Sequence, residues 1–182
     1  MRKRLRPAYN DEQLAQVYSE PHQHWQWADH RLRVQMTIAF ATWFGSVETV
    51  ADLSAGDAAI INAIDAKTRY IGDFAPGYEF TGAIDETIDQ IPVVDLFICS
   101  ETIEHLDNPE ATLKKIRAKT RALIVTTPIA EDNDYNPQHY WGWDTEAVRE
   151  LLQGAGFKPV VSNILNFSDA GLVYNYQFWG CV

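Results

Sequence analysis

The run Asp95-Leu96-Phe97-Ile98-Cys99 is apolar at every position after its first. In a strand, successive side chains point to opposite faces, so a run with no polar alternation has to be covered on both sides. That requirement favours a parallel sheet packed between helices over a half-solvated antiparallel one. Directly behind the run stand Glu101, Glu104 and His105. If the chain turns helical there, these residues fall at i, i+3 and i+4 and share a face. Two acids and an imidazole at the exit of a buried strand are costly to desolvate without partners, which points to chemistry or a cation. The competing reading is a solvated first helical turn with acids near its positive end.

Residues 11–44 read as helical and aromatic: Trp27, Val34, Ile38 and Ala41 form one stripe, widened by Phe40, Trp43 and Phe44, and Gly45-Ser46 ends the section. Strand-like and helix-like runs then alternate. Strands are expected at 49–53, 69–71, 79–84, 95–99, 122–126, 158–163 and 174–182. Helices are expected at 58–64, from Pro109 to near Lys119, and at 145–153. Pro109 stands at a first helical position, and Asp144 is placed to cap the last helix. Pro128 is expected to stop the strand before it. The alternation implies a mostly parallel sheet covered on both sides, in one domain spanning 1–182. Residues 1–45 form a helical N-terminal section and 46–182 the core. Ligands of such sheets bind beyond the carboxyl ends of the strands, where Ser54 to Asp57, Asp73, Asp85 and Glu101 all fall.

Charge narrows the ligand. The chain of 182 residues carries 15 Lys+Arg against 25 Asp+Glu, a net −10. Four cations are Arg2, Lys3, Arg4 and Arg6, which leaves 11 against 25, or −14, from Pro7 onward. So acidic a body argues against duplex DNA and for a small-molecule substrate. Short charged termini of this kind are ordinarily disordered and solvated. No apolar run approaches the ~20 residues that span a bilayer. Cys99 and Cys181 sit in apparent strands and do not resemble a disulfide framework, so a cytoplasmic location is expected.

The stretch Asp52-Leu53-Ser54-Ala55-Gly56-Asp57-Ala58 follows the first strand and opens the first helix. Its small residues permit a tight turn and bring backbone N–H groups close to a ligand. Asp73 lies 21 residues after Asp52 at a strand end, where an acid can accept both hydroxyls of a ribose. A nicotinamide dehydrogenase is disfavoured because G-x-G-x-x-G is absent.

From about Thr49 to Val182 these motifs resemble the class I S-adenosylmethionine-dependent methyltransferases. V-A-D-L-S-A-G-D-A is similar to that family's first motif, although Ser54 and Ala58 stand where glycine is usual and only Gly56 is kept. Y-I-G-D-F is similar to the second, and Asp95 to Leu106 to the fourth; Thr126-Thr127-Pro128 and Ala155-Gly156-Phe157 also sit where the family has T-P and A-G-F. The resemblance implies a Rossmann-like, doubly wound α/β fold with a seven-stranded sheet, and S-adenosylmethionine as cofactor. It implies that Asp52, Leu53, Ser54, Ala55 and Gly56 surround the methionine part, that Asp73 holds the ribose and Phe74 the adenine, and that Ile84, Asp85 and Ser100 complete the cofactor site.

E-x-x-E-H, followed later by His139, also resembles the RNA 3′-terminal 2′-O-methyltransferases; E-x-x-E-H alone resembles the ubiquinone-pathway O-methyltransferases. Both resemblances imply a metal, with Glu101, Glu104, His105 and His139 facing the acceptor as catalytic residues and metal ligands. Two carboxylates and two imidazoles suit Mg²⁺, Mn²⁺, Fe²⁺ or Zn²⁺. The alternative is a metal-free cleft wall, or His105 as a general base. A second histidine group, His22, His24 and His30 around Trp25, Trp27 and Asp29, reads either as packing or as a lid that closes over the cofactor. Trp141 and Trp143 could shape the pocket. The function expected first is O-methylation of a small molecule, then methylation of an RNA end, then a non-catalytic nucleoside-binding module.

Overall fold

A computed structural model describes residues 1–19, 24–129, 134–171 and 174–182. In chain order the elements are β1 (Arg2–Arg4), α1 (Asp11–Val17), α2 (Ala28–Thr42), β2 (Val47–Asp52), α3 (Ala59–Ala63), β3 (Ala66–Asp73), β4 (Phe80–Thr81), α4 (Ile84–Thr87), β5 (Val94–Ser100), α5 (Pro109–Lys119), β6 (Thr120–Ile129), β7 (Trp141–Trp143), α6 (Thr145–Gly154), β8 (Pro159–Leu165) and β9 (Asn175–Cys181). Seven strands form one mixed sheet in the order β4-β3-β2-β5-β6-β9-β8. The β2–β3, β2–β5, β3–β4 and β5–β6 pairs are parallel, and β9 runs antiparallel to both β6 and β8.

The uninterrupted apolar run at 96–99 is explained by β5 at the centre of this sheet. Phe97 and Cys99 face a core with Leu113 and Ile116 of α5 and Val148 and Leu152 of α6. Leu96 and Ile98 face a second core with Val34 and Phe40 of α2 and Ile60 and Ile61 of α3. All four are fully buried, so the strand is covered on both sides. Helix starts follow their caps: Asn108 accepts from Ala111 N with Pro109 in the first turn, and Asp144 accepts from Ala147 N.

Several expectations need correction. Residues 11–44 are not one helical run: α1 ends at Val17, a 3-10 turn covers His24–Gln26, and α2 begins at Ala28. Trp27 and Trp43 lie off the buried stripe and are exposed, whereas Val34, Phe40 and Ala41 are buried. The strand expected at 79–84 is only Phe80–Thr81, because Ile84 already opens α4. Pro128 does not stop β6. Pairing with β5 ends at Ser100↔Thr126, so beyond that point β6 is bonded on one side only, a position that admits proline.

The basic N-terminus forms a paired strand, although Lys3 and Arg4 stay exposed to solvent. Arg2–Arg4 pairs antiparallel with β7. The Arg2 guanidinium lies 3.9 Å over the Trp141 ring and pairs with Glu110, and Arg4 pairs with Asp107 at 2.7 Å. Trp141 is thereby used as a platform for Arg2 and Arg4, and Trp143 is buried in the core.

Candidate functional site

Four strand exits converge at the carboxyl edge of β2, β3, β5 and β6. After β2, the turn keeps its shape through two left-handed residues, Gly56 (φ 58°) and Ala58 (φ 60°). Only glycine adopts that region without steric cost, so Ala58 carries roughly 1 kcal/mol of strain. That strain accounts for the usual glycine at this position. Ser54 has a different role: its N–H and hydroxyl both reach Asp52 Oδ1, and its hydroxyl meets Thr102 Oγ1 at 2.7 Å, joining the β2 and β5 exits. Leu53 belongs to the core, and Asp52 is buried. Burial pushes the Asp52 carboxyl up to about 7, despite the Ser54 N–H that favours its charged form.

Asp73, at the end of β3, accepts from Gly56 N at 2.7 Å and from Ala75 N at 2.8 Å. Next to it the Phe74 ring lies 5.3 Å from that of Tyr18, at the end of α1. Burial, followed by the negative charge of Asp73, pushes the Tyr18 phenol up to about 12, and Tyr140 and Glu104 also act on it. Ile84 is buried at the start of α4. The Asp85 carboxylate is turned onto α5, where both oxygens accept from the Thr112 hydroxyl at 2.9 and 3.0 Å. Of the cofactor residues expected from sequence, Asp85 is the one whose side chain is engaged away from the others.

At the β5 exit the expected helical face does not form. Glu101 adopts φ 52° and a 3-10 turn covers Ile103–His105, so the acids are separated by a left-handed residue rather than stacked on one helix. Glu101 and Glu104 consequently have different partners. Glu101 Oε1 accepts from Thr126, and its Oε2 lies 4.0 Å from Arg33 Nε. Arg33 N–H donates to Ser100 Oγ at 2.6 Å, which leaves the Ser100 proton for Thr126 and the Thr126 proton for Glu101. Arg33 and Glu101 are thus coupled through space and through two hydroxyls. Arg33, only 6% exposed, is a site residue that the sequence reading missed. Its signal was present: His30, Arg33 and Thr37 fall three and four positions apart, on one face of the helix.

Glu104 is 1% exposed. Its Oε2 accepts from Thr127 at 2.9 Å, but its Oε1 has no hydrogen-bond partner. Burial, then repulsion from Glu101, holds its carboxyl well above the usual range. His105 donates from Nδ1 to the Gln138 carbonyl at 2.9 Å. Its Nε2 then carries the lone pair, 3.9 Å from Glu104 Oε1. Burial, then His139, pushes the His105 pKa down to about 3, so the ring is neutral. His139, 34 residues further along the chain, meets His105 edge to face with ring centroids 4.7 Å apart. One ligand atom from each of Glu104, His105 and His139 lies within 4.8 Å of the others. Glu101 stands beside this trio, paired to Arg33, rather than within it. A buried carboxylate with one oxygen lacking a donor, within 4.8 Å of two imidazole nitrogens, is a group that can hold a divalent cation, with His139 Nε2 here facing the Asn136 amide at 3.0 Å.

The N-terminal section touches these exits at several points. Trp25 Nε1 donates to Asp57, Tyr18 packs on Phe74, and Arg33 reaches Ser100. His24 and His30 stack 5.2 Å apart, and burial pushes His30 down to about 4. His22, assigned to the same group from sequence, lies outside the described residues. The surface grooves at Thr145–Trp179 and at Ser46–Asp95 are away from all of this.

Solved methyltransferases, two of them bound to S-adenosylhomocysteine, share this fold. The solved structures that resemble the chain make this concrete. The Burkholderia thailandensis 1,6-didemethyltoxoflavin-N1-methyltransferase, solved with its substrate and S-adenosylhomocysteine, superposes with a TM-score of 0.69 at 16% identity, over 97% of this chain and 91% of its own. The N-methyltransferase NodS of Bradyrhizobium japonicum, with S-adenosylhomocysteine, gives 0.63 at 10% identity over 93% and 96%. The [4+2]-cyclase SpnF gives 0.62 at 11% over 81% and 79%. At these identities the likeness establishes the fold alone, and SpnF shows that the fold also carries other chemistry. No protein-family model and no curated protein sequence matches the chain. Among the described residues no helix is long and apolar enough to cross a membrane.

Proposed function

We propose that this chain is an S-adenosylmethionine-dependent methyltransferase that methylates a hydroxyl of a small-molecule acceptor with the help of a divalent cation. The observation that carries the reading is the Glu104 carboxylate oxygen, buried without a donor and facing the His105 and His139 rings. S-adenosylmethionine supplies a methyl group on a sulfonium, open to in-line attack. Asp73 would accept the ribose hydroxyls, with Phe74 beside the adenine and Asp52 to Gly56 and Ser100 around the methionine part. Ile84 would contribute to the adenine wall through its backbone. A cation held by Glu104, His105 and His139 lowers the pKa of a coordinated hydroxyl. Glu101 faces the acceptor from beside the trio, its charge held by Arg33 and Thr126.

Calorimetry with S-adenosylhomocysteine and with Mn²⁺, followed by methyl-transfer assays before and after chelation, tests both halves. Saturable binding of each and activity restored by Mn²⁺ or Mg²⁺ are expected. Activity that persists after prolonged chelation rejects the cation, and absence of nucleoside binding leaves only a non-catalytic module.

The N-terminal section acts in this reading as the lid that excludes water from the crevice. Tyr18 is its test, because removing the whole section would also remove the β1 strand that pairs with β7. Tyr18→Ala is expected to weaken S-adenosylhomocysteine binding roughly tenfold, about 1.4 kcal/mol, with the melting temperature nearly unchanged. Unaltered affinity removes the lid role.

An RNA end is the second acceptor to weigh, since Glu104, His105 and His139 lie within reach of one another with Glu101 beside them. Opposing it, Arg2 and Arg4 are committed to Glu110 and Asp107. A salt titration of RNA binding distinguishes the two, because phosphate contacts give a steep slope.

A further inference from the structure

The Asp134–His139 turn does more than deliver one ring. Asp134 Oδ1 accepts from Asn136 N, and Asn136 Oδ1 accepts from Gln138 N, so two consecutive side-chain turns fix the loop. The Gln138 carbonyl so placed takes the His105 Nδ1 proton. Asp134 Oδ2 takes that of His139 Nδ1 at 2.5 Å, while the Asn136 amide donates to His139 Nε2 at 3.0 Å. A nitrogen that accepts from an amide carries the lone pair, so the network assigns His139 as the Nδ1–H tautomer. Asp134 is itself buried, 6% exposed, and is anchored by the Tyr174 hydroxyl at 2.9 Å. Arg6 donates to the carbonyls of Asp134 and Asn136 and ties the turn to the N-terminal strap.

We propose that Asp134 is a positioning residue: it holds His139 as the Nδ1–H tautomer and so leaves the lone pair on Nε2, the nitrogen that faces the Asn136 amide, on a ring with a ligand atom within 4.8 Å of those of Glu104 and His105. For its consequence the proposal rests on the cation reading, in which a cation would replace the Asn136 amide at that lone pair. A carboxylate behind an imidazole raises the ring's basicity as a ligand and fixes its orientation. No step of the methyl transfer passes through Asp134 itself.

Two readouts separate this proposal from the reading it deepens. In ¹⁵N-labelled full-length protein without added metal, two-bond ¹⁵N–¹H imidazole spectra are expected to show His139 protonated at Nδ1 only. Asp134→Asn, which can donate to Nδ1 instead, is expected to move the ring substantially to the Nε2–H form. In the same variant Mn²⁺ affinity, read by electron paramagnetic resonance, is expected to fall roughly 10- to 100-fold, with S-adenosylhomocysteine affinity unchanged. Tyr174→Phe removes only an anchor of Asp134 and gives a smaller shift in the same direction, which keeps the test open if Asp134→Asn folds poorly. A wild-type ring already protonated at Nε2, or a tautomer unmoved in both variants, overturns the proposal. Should the tautomer respond while wild type binds no Mn²⁺, the cation reading fails and the positioning role stands.

Discussion

Glu104→Gln is expected to melt higher than the wild type in chelator while losing Mn²⁺ binding by about 100-fold or more. The two effects have one cause. Glu104 is sealed behind β5, Thr127 satisfies one oxygen, and the other has no donor. Burial and then the neighbouring Glu101 hold its carboxyl well above the usual range. A carboxyl whose folded pKa is raised favours the folded state most at low pH. That contribution is lost as pH rises from the unfolded value, about 4.3, toward the folded one. Glutamine keeps the shape and the Thr127 hydrogen bond and has no charge to desolvate. The gain should therefore be small near pH 4 and widen toward neutrality. Each pKa unit of the raised carboxyl is about 1.4 kcal/mol of that pH-dependent cost, and in a domain of this size about 1 kcal/mol corresponds to roughly 2–4 °C. Melting curves from pH 4 to 8 in chelator, paired with Mn²⁺ titration, read both effects. A pH-independent loss of stability with Mn²⁺ binding retained would mean that the trio is ordinary core polarity. Residues that reduce stability and have no structural compensation are what a ligand site requires.

How much of this was legible in the sequence depended on the range over which each signal acts. The apolar run at 96–99 could only be a strand covered on both faces, and it is the centre of the sheet. Asp144 and Pro109 marked helix starts because capping is local chemistry. Glu104 and His105 were found because they adjoin that strand, and His139 because its loop had to leave the neighbouring strand. Arg33 was missed although its helix carries a polar stripe, because nothing local says that α2 lays that stripe on the β5 exit. Asp134 gave no signal: its role depends on meeting a ring five residues away across two side-chain turns. The ordering of the basic terminus was equally invisible, since it needs Trp141, Glu110 and Asp107 brought together by the fold. The left-handed Glu101 was masked by an E-x-x-E-H spacing that reads as helix.

Arg33→Met is expected to cost about 3–5 kcal/mol, the usual consequence of removing one partner from a buried charged pair. The guanidinium donates to Ser100 Oγ at 2.6 Å and to His30 Nδ1 at 3.1 Å, and its Nε lies 4.0 Å from Glu101. Its positive charge also holds the raised carboxyls of Asp52, Glu101 and Glu104 lower than they would otherwise stand. Without it, these acids would ionise at higher pH. The deficit relative to wild type should therefore be least near pH 4, where they are protonated, and grow as pH rises. Arg33→Lys should recover only part of the loss, since an ammonium cannot place three N–H groups on three separated partners. The decisive comparison is the double variant Arg33→Met with Glu101→Gln. If the pair is coupled through space and through the Ser100–Thr126 hydroxyls, removing both charges should restore roughly 1–3 kcal/mol of what Arg33→Met alone lost. Strict additivity in urea melts of the four proteins would leave Arg33 a partner of Ser100 and His30 only, and Glu101 would then need another counter-charge.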